Sequence, residues 1–188
     1  EKWEEKYLCE KLAGHELVFS KKELTPSAAK KVSDADAVAV FIYSQISAKV
    51  LDALPKVRLI ATMSTGYNHI DLKECNRRGV TVCNVPTYGE NTVAEHTFAL
   101  LLAISRKIPD ALARTKSGGF SANGLRGFDL KGKTIGVVGC GHIGRHVIRI
   151  ARGFEMNVLA YERFPNLALE KEFGFRHVPL DELYAKSD

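Results

Sequence analysis

Residues 134–144 read TIGVVGCGHIG, in which Gly139, Gly141 and Gly144 form a G-x-G-x-x-G pattern between an apolar run and a stretch of helical periodicity. Outside that setting the pattern means little; between a strand and a helix it is a phosphate-cradling turn. Each glycine then has its own task. Gly139 makes the tight turn, Gly141 leaves the backbone open to a pyrophosphate, and Gly144 lets the helix lie close to the strand. The N–H groups of His142 and Ile143 face the phosphates at the positive end of the helix. Such a unit also carries an acid about 20 residues on, at the tip of the second strand, to hold the adenosine ribose. Glu162 stands at about that distance, directly after the apolar stretch NVLAY (157–161).

A carboxylate at Glu162 repels a 2′-phosphate, so the expected cofactor is NAD rather than NADP, although the adjacent Arg163 is a group that can accommodate that phosphate. Downstream of the glycine loop the sequence predicts a helix over 143–152, a strand over 157–162, a helix over 166–173, a short strand over 175–178 and a helix over 180–186. Upstream, residues 115–133 (TKSGGFSANGLRGFDLKGK) are rich in glycine and poor in aliphatics, which marks a connection between two globular units.

The front half repeats the same alternation. Residues 2–13 carry Trp3, Tyr7 or Leu8, and Leu12 near helical spacing and predict an amphipathic helix. Two apolar runs, 37–42 (AVAVFI) and 57–63 (VRLIATM), flank a helical stretch over 47–54; a helix over 72–78 and a strand over 80–85 (VTVCNV) follow. Continuous rather than alternating hydrophobicity points to parallel strands buried on both faces. The longest helix, over 92–107, opens on a Thr92–Glu95 capping box and is apolar almost all round, which predicts burial between domains. The expected domains are 1–108 and 109–188.

Composition narrows the function. The chain of 188 residues is 45% hydrophobic with a net charge of +5, and its 27 basic residues are scattered among 22 acids rather than gathered in a stripe, so nucleic acid is not indicated. No apolar run approaches the roughly 20 residues needed to cross a bilayer, and a cytoplasmic protein is expected. Cys9, Cys75, Cys83 and Cys140 show neither a CxxC pair nor histidines at ligand spacing. They read as reduced thiols, with no metal site.

The segments STGYNHIDL (64–72) and RRGVTVCNVPTYGENTVAEH (77–96), with the glycine loop, resemble the D-isomer-specific 2-hydroxyacid dehydrogenases. Within that family the GxGHIG loop and the PxY…VAEH stretch look most like D-lactate dehydrogenases. The resemblance implies an α/β chain in which a flavodoxin-like substrate (catalytic) domain is followed by the first half of a Rossmann NAD-binding domain, cut short. It implies that Ser64, Thr65 and Gly66 offer backbone N–H groups to a substrate carboxylate, that Tyr88 lines the substrate pocket, and that Val93 packs near the nicotinamide. Without the resemblance, Ser64 and Thr65 read as helix caps, Tyr88 as a loop aromatic and Val93 as a core residue.

Turnover of a 2-hydroxyacid needs hydride exchange, a base for the hydroxyl proton and a cation for the carboxylate. The resemblance places the family's arginine, glutamate and histidine beyond Asp188, so no catalytic residue is expected in this segment, which reads as a fragment without activity of its own. His96, although beside Glu95, points about 100° away from it on a helix and is read as structural. His69, His142, His15, His146 and His177 carry no expected side-chain role, the last three being read as surface positions. The parent protein is expected to interconvert D-lactate and pyruvate as a homodimer with NAD and a small 2-hydroxy- or 2-ketoacid as partners. The alternative is a non-catalytic NAD-sensing protein of the corepressor kind, which shares the fold.

Overall fold

The computed structural model describes residues 2–188, and the chain divides after Tyr88 into two compact units. The first contains α1 (Lys2–Lys11), the short α2 (Pro26–Ala29) running into a 3-10 turn at Lys30–Val32, β1 (Ala37–Val40), α3 (Ala48–Asp52), β2 (Leu59–Thr62), α4 (Leu72–Arg77) and β3 (Thr81–Cys83). The strands form one parallel sheet in the order β1-β2-β3, with Ala37 opposite Leu59 and Leu59 opposite Thr81. Val40, Ile46, Val50, Leu51, Leu54, Ile60, Ile70 and Cys75 make its core. Asp71 caps α4, its Oδ1 accepting from the Glu74 N–H at 3.0 Å.

The second unit holds α5 (Glu90–Ser105), α6 (Ile108–Lys116), β4 (Thr134–Val138), α7 (His142–Gly153), β5 (Asn157–Tyr161), α8 (Leu167–Phe173), β6 (Arg176–His177) and α9 (Leu180–Lys186). Its sheet is also parallel, in the order β4-β5-β6. The pairing runs from Thr134 opposite Asn157 to Val138 opposite Tyr161. That is the order and direction expected of half a dinucleotide-binding sheet. Buried Val137, Ile148, Ala151, Val158 and Ala160 fill the space between strands and helices.

Four expectations change. The units part at 88/89 rather than 108/109, because α5 buries Ala94 and Phe98 in the second unit's core, where Phe98 stacks on Phe154 at 5.5 Å between centroids. For the same reason residues 115–133 lie within the second unit, tied down by the Phe128 N–H on the Ser105 carbonyl at 3.0 Å and by buried Leu130. Helix α5 begins at Glu90 on an uncapped Gly89, so Thr92 is inside it and no Thr92–Glu95 box forms; Glu95 instead accepts from the Asn91 amide. Finally, α5 is buried on one side only: Val93, Leu100 and Ile104 are exposed. Helix α1 forms as expected, but Trp3 and Tyr7 are exposed rather than in a core.

Candidate functional site

The glycine loop joins β4 to α7, and the three glycines do different things in space. Gly139 has φ +95°, a left-handed conformation that only glycine adopts without strain. A Cβ on Gly144 would stand 2.0 Å from the Gly139 carbonyl oxygen, so a side chain there would part helix from strand. A Cβ on Gly141 would meet nothing within 4 Å. The backbone at Gly141 is therefore open to a ligand's approach. Gly141 is also the N-cap of α7, and no side chain caps that end, leaving the N–H groups of His142 and Ile143 without a protein acceptor among the described residues.

Glu162 follows the last residue of β5, and the Gly139 N–H donates to the Tyr161 carbonyl at 2.8 Å. The loop and the acid thus share the C-terminal edge of adjacent strands, the edge at which open α/β sheets bind ligands. Arg163 turns its guanidinium over the Phe164 ring, 5.4 Å from the centroid.

In the first unit, β2 ends in a loop that buries Ser64 and His69 while Met63, Thr65 and Tyr67 stay exposed. Ser64, 3% exposed, shares a 2.6 Å hydrogen bond with the Thr62 hydroxyl and donates to the Gly66 carbonyl at 2.7 Å. Thr62 Oγ1 lies 3.1 Å from Nε2 of buried His69. The Asn84 amide donates to the Thr65 carbonyl at 2.8 Å, bracing the loop from beyond β3. Ser64 and Thr65 cap no helix; Asp71 does that work. The carbonyls of all three residues are occupied, that of Ser64 by the Val85 N–H, while the N–H groups of Ser64, Thr65 and Gly66 donate to no acceptor among the described residues and remain available for an anion.

Tyr88 closes the first unit and is exposed, and Val93 lies on the first turn of α5, also exposed rather than in the core. His96 is exposed on the same helix. Two histidines depart from their reading. His69 is a buried member of the hydroxyl network, not a bystander. The side chain of His177, read as a surface position, is 6% exposed, and its Nδ1 lies 2.8 Å from Glu170 Oε1, an oxygen that also accepts the His177 backbone N–H at 2.7 Å. Its Nε2 lies 3.8 Å from Cys140 Sγ. Sequence spacing could not reveal this, because Cys140, Glu162 and His177 come from three separate β-to-α crossings of one sheet.

The description of the family model that matches residues 2–173 is "D-isomer specific 2-hydroxyacid dehydrogenase, catalytic domain". The D-lactate dehydrogenase of Escherichia coli is 38% identical over 177 residues, covering 93% of this chain and 54% of that protein. The glyoxylate reductase of Pyrococcus furiosus is 38% identical over 166 residues, covering 85% of this chain and 49% of that protein. Among solved structures, the D-lactate dehydrogenase of Aquifex aeolicus complexed with NAD and lactic acid superposes with a TM-score of 0.89 at 32% identity, over 97% of this chain and 55% of that one. The chain spans about half the length of the curated relatives it matches.

Proposed function

The chain belongs to the D-isomer specific 2-hydroxyacid dehydrogenase family, and on that premise we propose that the whole protein interconverts a D-2-hydroxyacid and a 2-ketoacid with NAD, D-lactate and pyruvate being the pair of choice. The observation that carries this is the glycine loop beside Glu162: a positive-φ turn, an open Gly141 and a helix end with unused N–H groups suit a pyrophosphate, and the acid suits a ribose diol. NAD is preferred because a carboxylate at Glu162 opposes a 2′-phosphate and Arg163 lies over Phe164. When bound, the cofactor supplies hydride exchange at its nicotinamide ring.

The residues of this chain hold and orient. Ser64, Thr65 and Gly66 point backbone N–H groups at the substrate carboxylate, their rigidity coming from the Thr62–Ser64–His69 bonds and from Asn84. Tyr88 borders the ketoacid and Val93 the nicotinamide. Lactate over glycolate rests on the likeness of the GxGHIG loop and the PxY…VAEH stretch to D-lactate dehydrogenases, since both D-lactate dehydrogenases and glyoxylate reductases are among the similar proteins. The front unit, Ser64 to Tyr88 included, serves the substrate, and the second unit the adenosine half of the cofactor. Leu100 and Ile104, exposed on α5, suit a second copy, so we take the whole protein as a homodimer, and as cytoplasmic on the sequence reading alone.

Steady-state assay of the whole protein with NADH against pyruvate and glyoxylate is the test. The reading expects turnover with pyruvate at the higher kcat/KM, and none from the present chain alone. Faster turnover of glyoxylate would move the substrate assignment. NADH oxidation by the present chain would overturn the view that it lacks the catalytic groups.

A further inference from the structure

Cys140, Glu162 and His177 sit together at the C-terminal edge of the second unit's sheet, one from each of β4, β5 and β6 or the residues just after them. One ligand atom from each, the Cys Sγ, a Glu carboxylate oxygen and a His ring nitrogen, lie within 4.8 Å of one another. We propose that these three side chains form a binding site for a thiophilic divalent cation of the zinc class.

Three observations carry the assignment. The first is distance. Bonds of about 2.3 Å to sulfur and 2.05 Å to nitrogen at a tetrahedral angle put the two donors ~3.6 Å apart, and Cys140 Sγ and His177 Nε2 are 3.8 Å apart. The second is the orientation of the imidazole. Glu170 Oε1 lies 2.8 Å from Nδ1 and also accepts the His177 backbone N–H. Held this way, Nδ1 carries the proton and the Nε2 lone pair faces the thiol; a carboxylate behind a histidine is the usual support of a metal-bound imidazole. The third is charge and burial. A thiolate and a carboxylate balance a dication, and Arg145, whose Nε donates to the Cys140 carbonyl at 3.0 Å, offsets surplus negative charge. The site combines 1% exposed Cys140 and the buried His177 side chain with half-buried Glu162, leaving the Glu162 side for a fourth, exchangeable ligand.

A bound ion takes the place of the thiol proton, leaving Cys140 as a thiolate ligand. Because Glu162 is also the residue assigned above to the adenosine ribose, ion and dinucleotide compete for it; this clause alone rests on the cofactor reading.

The probe is Co2+, added without nucleotide to the chain carrying Cys9→Ser and Cys83→Ser so that exposed thiols do not compete. The site requires a thiolate-to-cobalt charge-transfer band that saturates at one equivalent, is absent in the further variant Cys140→Ser, and weakens at least tenfold in affinity with His177→Gln. X-ray absorption of the zinc-loaded chain with Cys140 intact provides a measurement free of folding effects: one sulfur among nitrogen or oxygen neighbours is expected. Absence of the cobalt band, its persistence in Cys140→Ser, or a zinc shell without sulfur would overturn the site. Excess ADP-ribose should bleach the band; ADP-ribose bound with the band intact would overturn the competition and leave the site standing.

Discussion

At the residue scale the glycine loop separates space from conformation. Gly144→Ala puts a methyl group against the Gly139 carbonyl and should lower unfolding free energy by about 1–3 kcal/mol. Gly141→Ala, whose methyl meets no protein atom, should change stability by less than about 0.5 kcal/mol yet weaken adenine-dinucleotide binding roughly tenfold or more. Denaturant melts and calorimetry on both variants check this; equal destabilisation would remove the assigned roles. The glycine turn was legible in sequence because turn chemistry imposes a fixed spacing on neighbouring positions, and the place of Glu162 because it directly follows the apolar strand β5. Cys140 with His177, and Thr62 with His69, were not legible, since their pairing depends on which strand tips the fold sets side by side. The Glu170–His177 pair has a pH signature. The His177 backbone N–H, then its ring, hold the Glu170 carboxyl below its ordinary value of 4.5. A lowered folded-state value means the stabilisation is complete above about pH 4.5 and is lost as the pH falls further. Glu170→Gln should flatten the acid limb of the stability curve below that pH; an unchanged limb would contradict the contact.

At the element scale, short apolar runs were enough to place five of the six strands, β6 being only Arg176–His177; the expected cover on both faces fails at β1 and β3, the first unit's edge strands, where Ala37, Ala39, Thr81 and Cys83 are exposed. The bounds moved by one or two residues only. Helix α5 was harder. Its periodicity shows apolar residues nearly all round but not which of them face their own unit, and only the packing of Ala94 and Phe98 on α7 assigns it to the second. The remaining exposed pair, Leu100 and Ile104, is the part of α5 that the homodimer proposal puts against a second copy. In the whole protein, Leu100→Glu with Ile104→Glu should shift sedimentation from dimer to monomer while circular dichroism stays the same. A dimer that survives both charges would place the contact elsewhere.

At the scale of the whole molecule, two parallel three-stranded sheets recur in one chain, each with its own core and each with a loop of free N–H groups at a strand end. Among the described residues no helix is long and apolar enough to cross a membrane. Family membership follows from the match over residues 2–173, while the division of labour between the two units is the structural proposal built on it. That proposal is exposed most directly by calorimetric titration of the chain with ADP-ribose, beside the variant Glu162→Ala. Loss of a carboxylate's hydrogen bonds to the ribose, about 1.5–3 kcal/mol, predicts saturable binding of one equivalent by the native chain and an affinity at least about tenfold lower in the variant. Absence of binding, or equal affinity in the two proteins, would contradict the assignment of the sheet tip at Gly139–Gly144 and Glu162 to the adenosine half of a dinucleotide.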